Sequence, residues 1–325
     1  MSCVILPFAL WPEAEAVSTT QAALDARLPS NALPRLRQLW SKARRTHVQC
    51  TGRVDQPSLS MPHEQALAAH KGWPVVDGLL PWAAEAAVQQ GWAKPGDGSA
   101  WGWLSLCHWQ VSHGQATLID PADLAIDEAT DQALLDSLQP FLAEDGIQLH
   151  RWQPGVWLAQ SPTLAHLPTA SLDRVIGDDV DRWLVGGEAP GPEARLWRRL
   201  QNEMQMLLYT HPVNAARAVA INSFWLHGTG LSPAAAPIAD PTLGLVDPLR
   251  SALLQQDLVG WCEAWQALDA QLDVTSVSQL LLCGPHEIHT YDLGAASWCR
   301  PWQQRLAPTP WSRVLTETAA AREVA

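Results

Sequence analysis

The chain has 325 residues, a formal net charge of −12, and 17% charged against 47% hydrophobic residues. This composition excludes a disordered acidic chain and a fibrous protein, and the length suffices for two domains or one large α/β or α+β unit. The negative charge argues against a dedicated nucleic-acid-binding protein and against adsorption to an anionic membrane. Tryptophan is unusually frequent, with 18 residues beside 3 Phe and 2 Tyr, so the role of these indoles needs an explanation.

The N-terminal residues 3–10 form an apolar run that predicts a buried first strand. A secretory signal is not predicted, because no Lys or Arg precedes the run and Pro7 and Pro12 interrupt it. No stretch approaches the roughly 20 apolar residues of a membrane span. The 6 cysteines form no CxxC pair, which disfavours a zinc ribbon or a thioredoxin-type site. We therefore expect buried, reduced thiols in a cytoplasmic protein.

The first half of the chain predicts an α+β region. Proline at the first turn and glycine after the last turn mark three helices, over 34–45, 62–72 and 81–91. Period-two patterns separated by turns then predict two β-hairpins with a helix between them. The remaining predicted elements are strands 101–111 and 116–119, a helix over 127–142, strands 147–152 and 156–160, and an amphipathic stretch over 171–184.

The second half predicts an α/β region that follows a Gly- and Pro-rich linker at 186–192. Its elements are helices over 193–209 and 212–219, a strand over 220–226 closed by a turn at 228–230, a loop over 231–248, a helix over 257–272, and a hairpin of strands 277–283 and 288–291. The predicted domains are therefore 1–185 and 193–318, with a frayed tail at 319–325. The predicted fold class is α/β or α+β, with a mixed sheet and flanking helices.

A polar cluster after the strongest helix is the main candidate site. An Arg fork, Asn amides and a helix N-terminus can together hold an anion. The alternative is structural, with His211 and Asn214 capping helix ends and Arg217 pairing with an acid. Asn202 and Gln205 belong to a separate polar face of the preceding helix. The candidate ligand-binding residues are His211, Asn214, Arg217, Asn222, Trp225, His227, Asn202 and Gln205.

Metal-binding signals are poor, and no cofactor is predicted. Near a hairpin tip, strand alternation places Glu287 and His289 on one face and His286 on the other, and solvated turn residues are the simplest interpretation. Asp77-Gly78 follows an apolar run, as in alkaline-phosphatase-like enzymes, but the chain has no Asp-His pair. A loop turn is therefore favoured for Asp77. If a metal were bound after all, its candidate ligands would be Asp77, His286, His289 and Asp292.

Other catalytic and binding motifs are weak or absent. Gly228-Thr-Gly230 lacks the third glycine of a dinucleotide-binding fingerprint, and neither GxSxG nor HExxH occurs. Trp101, Trp103 and Trp109 share one face of a predicted strand, where they could form a stacking platform or a core face. The core interpretation is favoured.

Several segments resemble the bacterial Rpf-E-type regulatory protein family, which is named after a pathogenicity-regulation gene cluster. The most specific block is 198–230, which contains RRLQNEMQMLLYTHPVN and NSFWLHGTG. The segments at 6–9, 62–64, 107–109 and 120–121 also fit the pattern, so the resemblance covers most of the chain. This resemblance implies a cytoplasmic protein with a regulatory label.

The block from His211 to Gly230 is also similar to a segment of archaeal-type cofactor-independent phosphoglycerate mutases. In those enzymes two divalent metals and a phosphoryl-carrying serine perform the chemistry. Here the ligand motifs are absent at both ends, the spacing between Arg217 and Asn222 is shorter, and no nucleophilic serine context is present. The similarity therefore implies a degenerate phosphoglycerate-mutase-like or alkaline-phosphatase-like fold without catalysis.

These observations lead to three functional hypotheses. The first is a non-catalytic protein of the Rpf-E type that binds a small anionic metabolite or a protein partner, and neither nucleic acid nor membrane. The second is a metal-dependent phosphoglycerate mutase or a related phosphotransfer enzyme. The third is a tryptophan-rich interaction module.

Overall fold

The protein is a mixed α/β structure with two sheets and flanking helices, which confirms the predicted fold class. The computed structural model describes residues 2–12, 17–52, 56–234, 247–272, 277–294 and 309–318. The chain divides into two compact units, of which the first combines residues 1–70 with 239–325 and the second spans 71–238. The predicted ranges 1–185 and 193–318 do not coincide with these units, because strands from the two ends of the chain pair in one sheet.

The sheet of the first unit contains four strands in the order β1-β8-β9-β2. Their bounds are β1 Ser2–Leu6, β2 Arg44–Cys50, β8 Val277–Cys283 and β9 Glu287–Asp292. β1 pairs with β8 in parallel, and the other pairs are antiparallel. The predicted β8–β9 hairpin is confirmed. β1 ends earlier than predicted, and Phe8 just beyond it has a positive φ of 56° that breaks the extended backbone.

The helices of the first unit flank this sheet. They are α1 Val17–Arg27, α2 Pro34–Trp40, α3 Pro62–His70, α8 Asp247–Leu254 and α9 Leu258–Asp269. α3 and α9 agree with the predictions, whereas α1 was not predicted. The predicted helix over 34–45 is too long, because its last residues belong to β2. α8 begins inside the predicted loop, and residues 235–246 of that loop lie outside the described residues.

A buried carboxylate and a buried indole join helices of the first unit to other segments of its core. Asp269, at the end of α9, accepts hydrogen bonds from the backbone N–H groups of Arg35 (3.1 Å) and Leu36 (2.6 Å), so it satisfies the first turn of α2. The fully buried Trp261 donates from Nε1 to the carbonyl oxygen of Phe8 at 2.8 Å. These bonds orient α2 and α9 around a shared apolar core.

The second unit is built on an antiparallel sheet in which β3 is central. Its strands are β3 Ala100–Ser112, β4 Gln115–Ile119, β5 Gln148–Gln153, β6 Val156–Gln160 and β7 Ser223–Leu231. β3 pairs with β4, β6 and β7, and β6 pairs with β5, so both predicted hairpins are confirmed. The predicted turn at 228–230 is wrong, because β7 continues through it. Positive φ angles at Gly228 and Gly230 accompany a register shift there.

Helices cover both faces of this second sheet. Their bounds are α4 Trp82–Gln89, α5 Glu128–Glu144, α6 Leu172–Val175 and α7 Pro192–Tyr209. α5 and α7 cover one face, and α4 packs on the other against Trp101 and Leu158. The amphipathic stretch 171–184 forms only α6 and a 3₁₀ turn, since Gly177 adopts a positive φ between them. The predicted helix over 212–219 is only a 3₁₀ turn at Pro212–Asn214.

Most of the described tryptophans serve the core. Trp101 is fully buried, so the core interpretation of the β3 tryptophans holds for this residue. Among the described tryptophans, Trp92 is the exposed one, with 39% of its surface accessible. The five described cysteines are free thiols, of which Cys107, Cys262 and Cys283 are buried. No helix within the described ranges has the length and apolar character that a bilayer crossing requires.

Candidate functional site

The predicted polar cluster lies in the second unit, where its side chains bind mainly to the protein itself. His211 caps the 3₁₀ turn that follows α7, with Nδ1 accepting from the backbone N–H of Val213 at 3.3 Å. Its Nε2 lies 2.8 Å from Oγ of Ser137 on α5. The imidazole therefore joins the end of α7 to α5, as the structural alternative for this residue predicts.

Asn214 and Arg217 close the connection between α7 and β7. The Asn214 amide accepts from the N–H of Ile221 at 2.8 Å and donates to the carbonyl oxygens of Leu208 and Ile221, each at 2.9 Å. Arg217 donates from Nη2 to the carbonyl oxygen of Leu124, and from Nε to that of Val219 at 3.2 Å. The N–H donors of Asn214 and Arg217 that an anion would need are therefore directed at main-chain oxygens. The structural alternative expected Arg217 to pair with an acid, but the acceptors in these bonds are carbonyl oxygens.

Asn222 and Gln205 secure the beginning of β7, whereas Asn202 does not join them. The Asn222 amide accepts from the N–H of Trp109 at 2.7 Å and donates to its carbonyl oxygen at 3.0 Å, which extends the β3–β7 ladder by a side chain. Gln205 donates to Oγ of Ser223 at 3.2 Å. Asn202 lies exposed on α7. The unpredicted Gln201, which is buried on α7, donates to the carbonyl oxygen of Phe224 at 2.8 Å.

Trp225 and His227 lie on the sheet face opposite α5 and α7, away from the caps. The buried Trp225 donates to the carbonyl oxygen of Ala170 at 2.9 Å. Nε2 of His227 lies 2.9 Å from Oγ of Ser105, a contact of the kind found between a nucleophile and its base. However, Ser105 is 2% exposed, so it is inaccessible to a substrate. Burial also lowers the pKa of His227 to about 3, so its imidazole is neutral at pH 7.

The metal candidates do not share one described cluster. Asp77 is exposed in the second unit, whereas His286, His289 and Asp292 belong to the first. The interpretation of solvated turn residues is wrong for Glu287 and His289, because both lie in β9 and are 0% exposed. Their predicted common face is confirmed by a hydrogen bond. Within the described ranges, no group of three or more His, Cys, Asp or Glu residues is arranged to hold a metal ion.

The second unit also contains a groove that the sequence analysis did not identify. It has a volume of about 490 Å³ and forms where the connection between α3 and α4 meets the segment after β6 and the end of β7. Its lining is mainly apolar and contains no Asp, Glu, Lys or Arg. The lining residues are Gly72, Trp73, Pro74, Val76, Leu79, Pro81, Ala165, His166, Gly230, Leu231, Ser232, Pro233 and Ala234.

Hydrogen bonds fix the walls of this groove. Oγ of Ser232 donates to the carbonyl oxygen of Lys94 at 2.8 Å, and the N–H of Gly96 donates to that of Pro233 at 3.0 Å. Opposite them, the N–H of Thr169 donates to the carbonyl oxygen of Gly78 at 2.9 Å. The groove is therefore a formed feature of the second unit.

A buried ion pair lies beside the groove. Nζ of Lys71 is 2.8 Å from Oε1 of Glu85, and both side chains are buried. The same ammonium group is 5.7 Å from the ring centre of Trp73, whose indole in turn packs against Trp82 at 4.8 Å between ring centres. Because the cation is paired and covered, the wall offers an aromatic surface rather than a charge.

The groove could have been suspected from one signal in the sequence. The run Trp73-Pro-Val-Val76 is apolar, yet it connects two helices and has neither helical nor strand periodicity. Val75 and Val76 are accordingly exposed. The other wall could not be found in this way, because Leu231 is more than 150 residues away in sequence.

Comparisons with known proteins add little to this description. No protein-family model matches the chain, and no curated protein matches it. Among solved structures, the chain is similar to a cofactor-independent phosphoglycerate mutase from Thermoplasma acidophilum DSM 1728, with 13% identity over 91% of each chain and a TM-score of 0.35. This similarity is too weak to assign a fold family or site residues, so the architecture above rests on the structure of the chain itself.

Proposed function

We propose that this chain is a non-catalytic, cytoplasmic binding protein of the Rpf-E type, and that its ligand is a protein partner. The observation that carries this proposal is the apolar groove of about 490 Å³ in the second unit. Val76 and Leu231 on its rim are 49% and 39% exposed, which is costly for apolar side chains unless another molecule covers them.

The charge of the groove supports a protein segment over a small anion. Its lining contains no Lys or Arg that would compensate the lost hydration of a phosphate or carboxylate. Arg217 is less suited to bind an anion, because its guanidinium group already donates hydrogen bonds to main-chain oxygens. The occupant that best fits the groove is an uncharged, extended peptide segment with apolar side chains.

The accessible chemistry supports a binding role over catalysis. Ser105 and His227 are close enough for a nucleophile–base pair, but Ser105 is buried and the sheet face around it carries Trp103 and Trp225. Trp103 and Trp225 pair across the strands with His227 and Ser105 themselves. Neither Ser105 nor His227 lines the groove. The groove itself offers His166 and Ser232 as its polar side chains.

A peptide selection tests the proposal. Peptides displayed on phage are selected against the purified chain, and the affinity of the enriched peptides is measured by fluorescence anisotropy. We expect enrichment of uncharged apolar sequences whose affinity falls at least about tenfold in Val76→Asp and in Leu231→Asp, since each buries a charge in the interface. Val111→Asp is the matched control, because Val111 is 75% exposed and lies on the β3–β4 hairpin.

Three outcomes would contradict the proposal. If no peptide is enriched, or if the enriched peptides bind all three variants equally, the groove is not the binding site. If 3-phosphoglycerate instead raises the melting temperature and Arg217→Ala abolishes this rise, the ligand is a small anion at the polar cluster.

A further inference from the structure

A second pocket of the second unit differs from the groove in its chemistry. Its volume is about 360 Å³, which is within the range of small-molecule sites. It forms between the loop before β3, the loop before β5 and the end of β6. Its lining mixes polar and apolar groups and contains no ionisable side chain. The lining residues are Gly98, Ser99, Ala100, Gly146, Gln148, Gln160, Ser161, Pro162 and Ala165.

Two glutamine side chains supply the pocket's hydrogen-bonding capacity. Gln148 on β5 and Gln160 on β6 are direct cross-strand partners, so their amides project from the same sheet face. Each amide offers an acceptor oxygen and two N–H donors. The hydroxyls of Ser99 and Ser161 already bind Asp97 and Thr163, so the glutamines are better placed to bind a ligand, although the Gln160 amide also interacts with His150.

An exposed aromatic surface adjoins this pair. His150 follows Gln148 by two residues on β5 and therefore shares its face. The Trp92 ring stacks on His150 with 5.2 Å between ring centres and an angle of 29°. Trp92 is 39% exposed, so part of the indole remains open to solvent after this stacking.

His150 fits a site for an uncharged molecule. Burial lowers its pKa, and the neighbouring Gln160 amide only partly offsets this effect, so the imidazole is neutral at pH 7. Its Nε2 is buried without a hydrogen-bond partner among the described residues. Because this atom is buried, the ring does not contact a ligand but supports the face of Trp92 without placing a charge beside the pocket.

We propose that this pocket and Trp92 bind a neutral carbohydrate, a short oligosaccharide built from hexoses. Sugar hydroxyls both donate and accept hydrogen bonds, which matches the paired glutamine amides. The C–H face of a sugar ring packs on a single exposed aromatic face, which the open part of Trp92 provides. The lack of ionisable side chains in the lining excludes the charge compensation that a sugar phosphate or a sialic acid would need.

The site is independent of the groove proposed for a protein partner, although Ala165 lines both. A nucleobase is the nearest competing ligand, since it also stacks and hydrogen bonds with amides. However, stacking on Trp92 is available on one side only, because His150 occupies the other. This arrangement favours a sugar ring that packs against one face over a base held between two.

Titration of the purified chain with maltotriose, cellotriose and chitotriose tests the proposal. Binding is followed by isothermal calorimetry and by saturation-transfer NMR. We expect at least one trisaccharide to bind, with at least about tenfold weaker binding in Trp92→Ala and in the double variant Gln148→Ala, Gln160→Ala. Trp92→Phe should retain most of the affinity, because it keeps an aromatic face. Tyr209→Ala is the matched control, since this aromatic residue is 85% exposed on α7.

The outcomes separate the alternatives. The proposal is overturned if no trisaccharide binds at about 20 mM, a concentration that would fill even a millimolar site. It is also overturned if Trp92→Ala binds like the wild type, or if adenosine binds at this pocket and the trisaccharides do not. Val76→Asp should leave saccharide binding unchanged, so failure of the peptide experiment and failure of this one can be distinguished.

Discussion

Glu287 and His289, two residues apart on β9, are joined by a hydrogen bond of 2.8 Å between Oε2 and Nε2, and both side chains are 0% exposed. Thr318 completes the carboxylate's surroundings, donating from its backbone N–H at 2.7 Å and from its hydroxyl group. A buried carboxylate is tolerated when such bonds replace its hydration. The pair therefore connects β9 to the segment that ends the described chain.

Replacing Glu287 by Gln should destabilise the protein by about 2–4 kcal/mol at pH 7, because an amide N–H₂ would then face buried donors. Urea denaturation measures the change in the free energy of unfolding. Glu263→Gln is the control, since Glu263 is exposed in the same unit and should have little effect. A loss as small as that of the control would mean that the buried bonds contribute nothing to stability.

The same carboxylate predicts how stability depends on pH. Burial raises the pKa of Glu287, but hydrogen bonds from His289 and Thr318 outweigh it, so the net pKa is lowered. Because the pKa is lower in the folded state, the ionised carboxylate stabilises the fold fully at pH values above the unfolded-state pKa of about 4.3. This stabilisation is lost as the pH falls from that value through the folded-state pKa. The difference in stability between the wild type and Glu287→Gln should thus be constant from pH 7 to about 5 and shrink below that. A difference that persists to pH 3 would contradict this assignment.

Several elements could be predicted because their signals are local. α3, α4 and α7 each have proline near the first turn, and both hairpins of the second unit have clear alternation. β2 was missed because it is an edge strand with exposed residues on both faces, so the period-two pattern is absent. The domain boundaries were not predictable either, since β1 pairs with β8 across more than 270 residues.

The site was less predictable than the fold. The chain segment around Arg217 shows which polar residues are close in sequence, but the main-chain oxygens that they bind belong to other segments, such as Leu124. The groove and the polar pocket are assembled from segments far apart in sequence. The role of Trp92 could not be predicted from the sequence, because it depends on the exposure of the indole and on its stacking with His150.

Asp131 should be essential for the stability of the second unit. This fully buried carboxylate of α5 accepts from the N–H of Gly155 at 2.8 Å, from Nε1 of Trp157 at 2.9 Å and from Arg151. Asp131→Ala should cost about 3–5 kcal/mol, because it leaves a buried indole N–H and a guanidinium without their acceptor. Thermal and urea unfolding measure this cost. Asp136→Ala, an exposed site on the same helix, should stay close to the wild type.

Arg217 should act as a structural residue. Arg217→Ala removes two hydrogen bonds to main-chain oxygens, so it should lower the free energy of unfolding by about 1–3 kcal/mol. Phosphate and 3-phosphoglycerate should leave the melting temperature of the wild type unchanged. Arg195→Ala, which alters an exposed arginine on α7, is the control. An anion-dependent stabilisation that disappears in Arg217→Ala would restore the anion site as the better interpretation.

The purified chain should not interconvert 2- and 3-phosphoglycerate when Mn²⁺ is supplied. His289 is a candidate metal ligand if the chain is a phosphotransfer enzyme, but it is buried and bonded to Glu287. Ser105 is buried and therefore inaccessible as a phosphoryl carrier. A coupled enzymatic assay, run beside an authentic mutase, measures the activity, and elemental analysis measures bound metal. Turnover above the background, together with stoichiometric Mn or Zn, would establish the enzymatic alternative.

Gly228 on β7 should accept a side chain only with a clear loss of stability. Its φ is +61°, and an added Cβ would lie 2.9 Å from Cδ1 of Trp103 and 3.3 Å from Cβ of Trp82. Gly177 provides a matched control, because its φ is +79° but an added Cβ would meet nothing within 4 Å. Gly177→Ala should therefore cost only the left-handed backbone penalty of about 1–2 kcal/mol, whereas Gly228→Ala should cost about 1–3 kcal/mol more.

Urea unfolding of the two alanine variants separates these contributions. An equal loss in both would show that the indole of Trp103 shifts without cost, and that α4 is not held closely against β7. A larger loss in Gly228→Ala would instead show that the backbone of β7 must approach Trp82 and Trp103 closely. In that case α4 packs directly on the strand, beside Pro81, which precedes α4 and lines the groove.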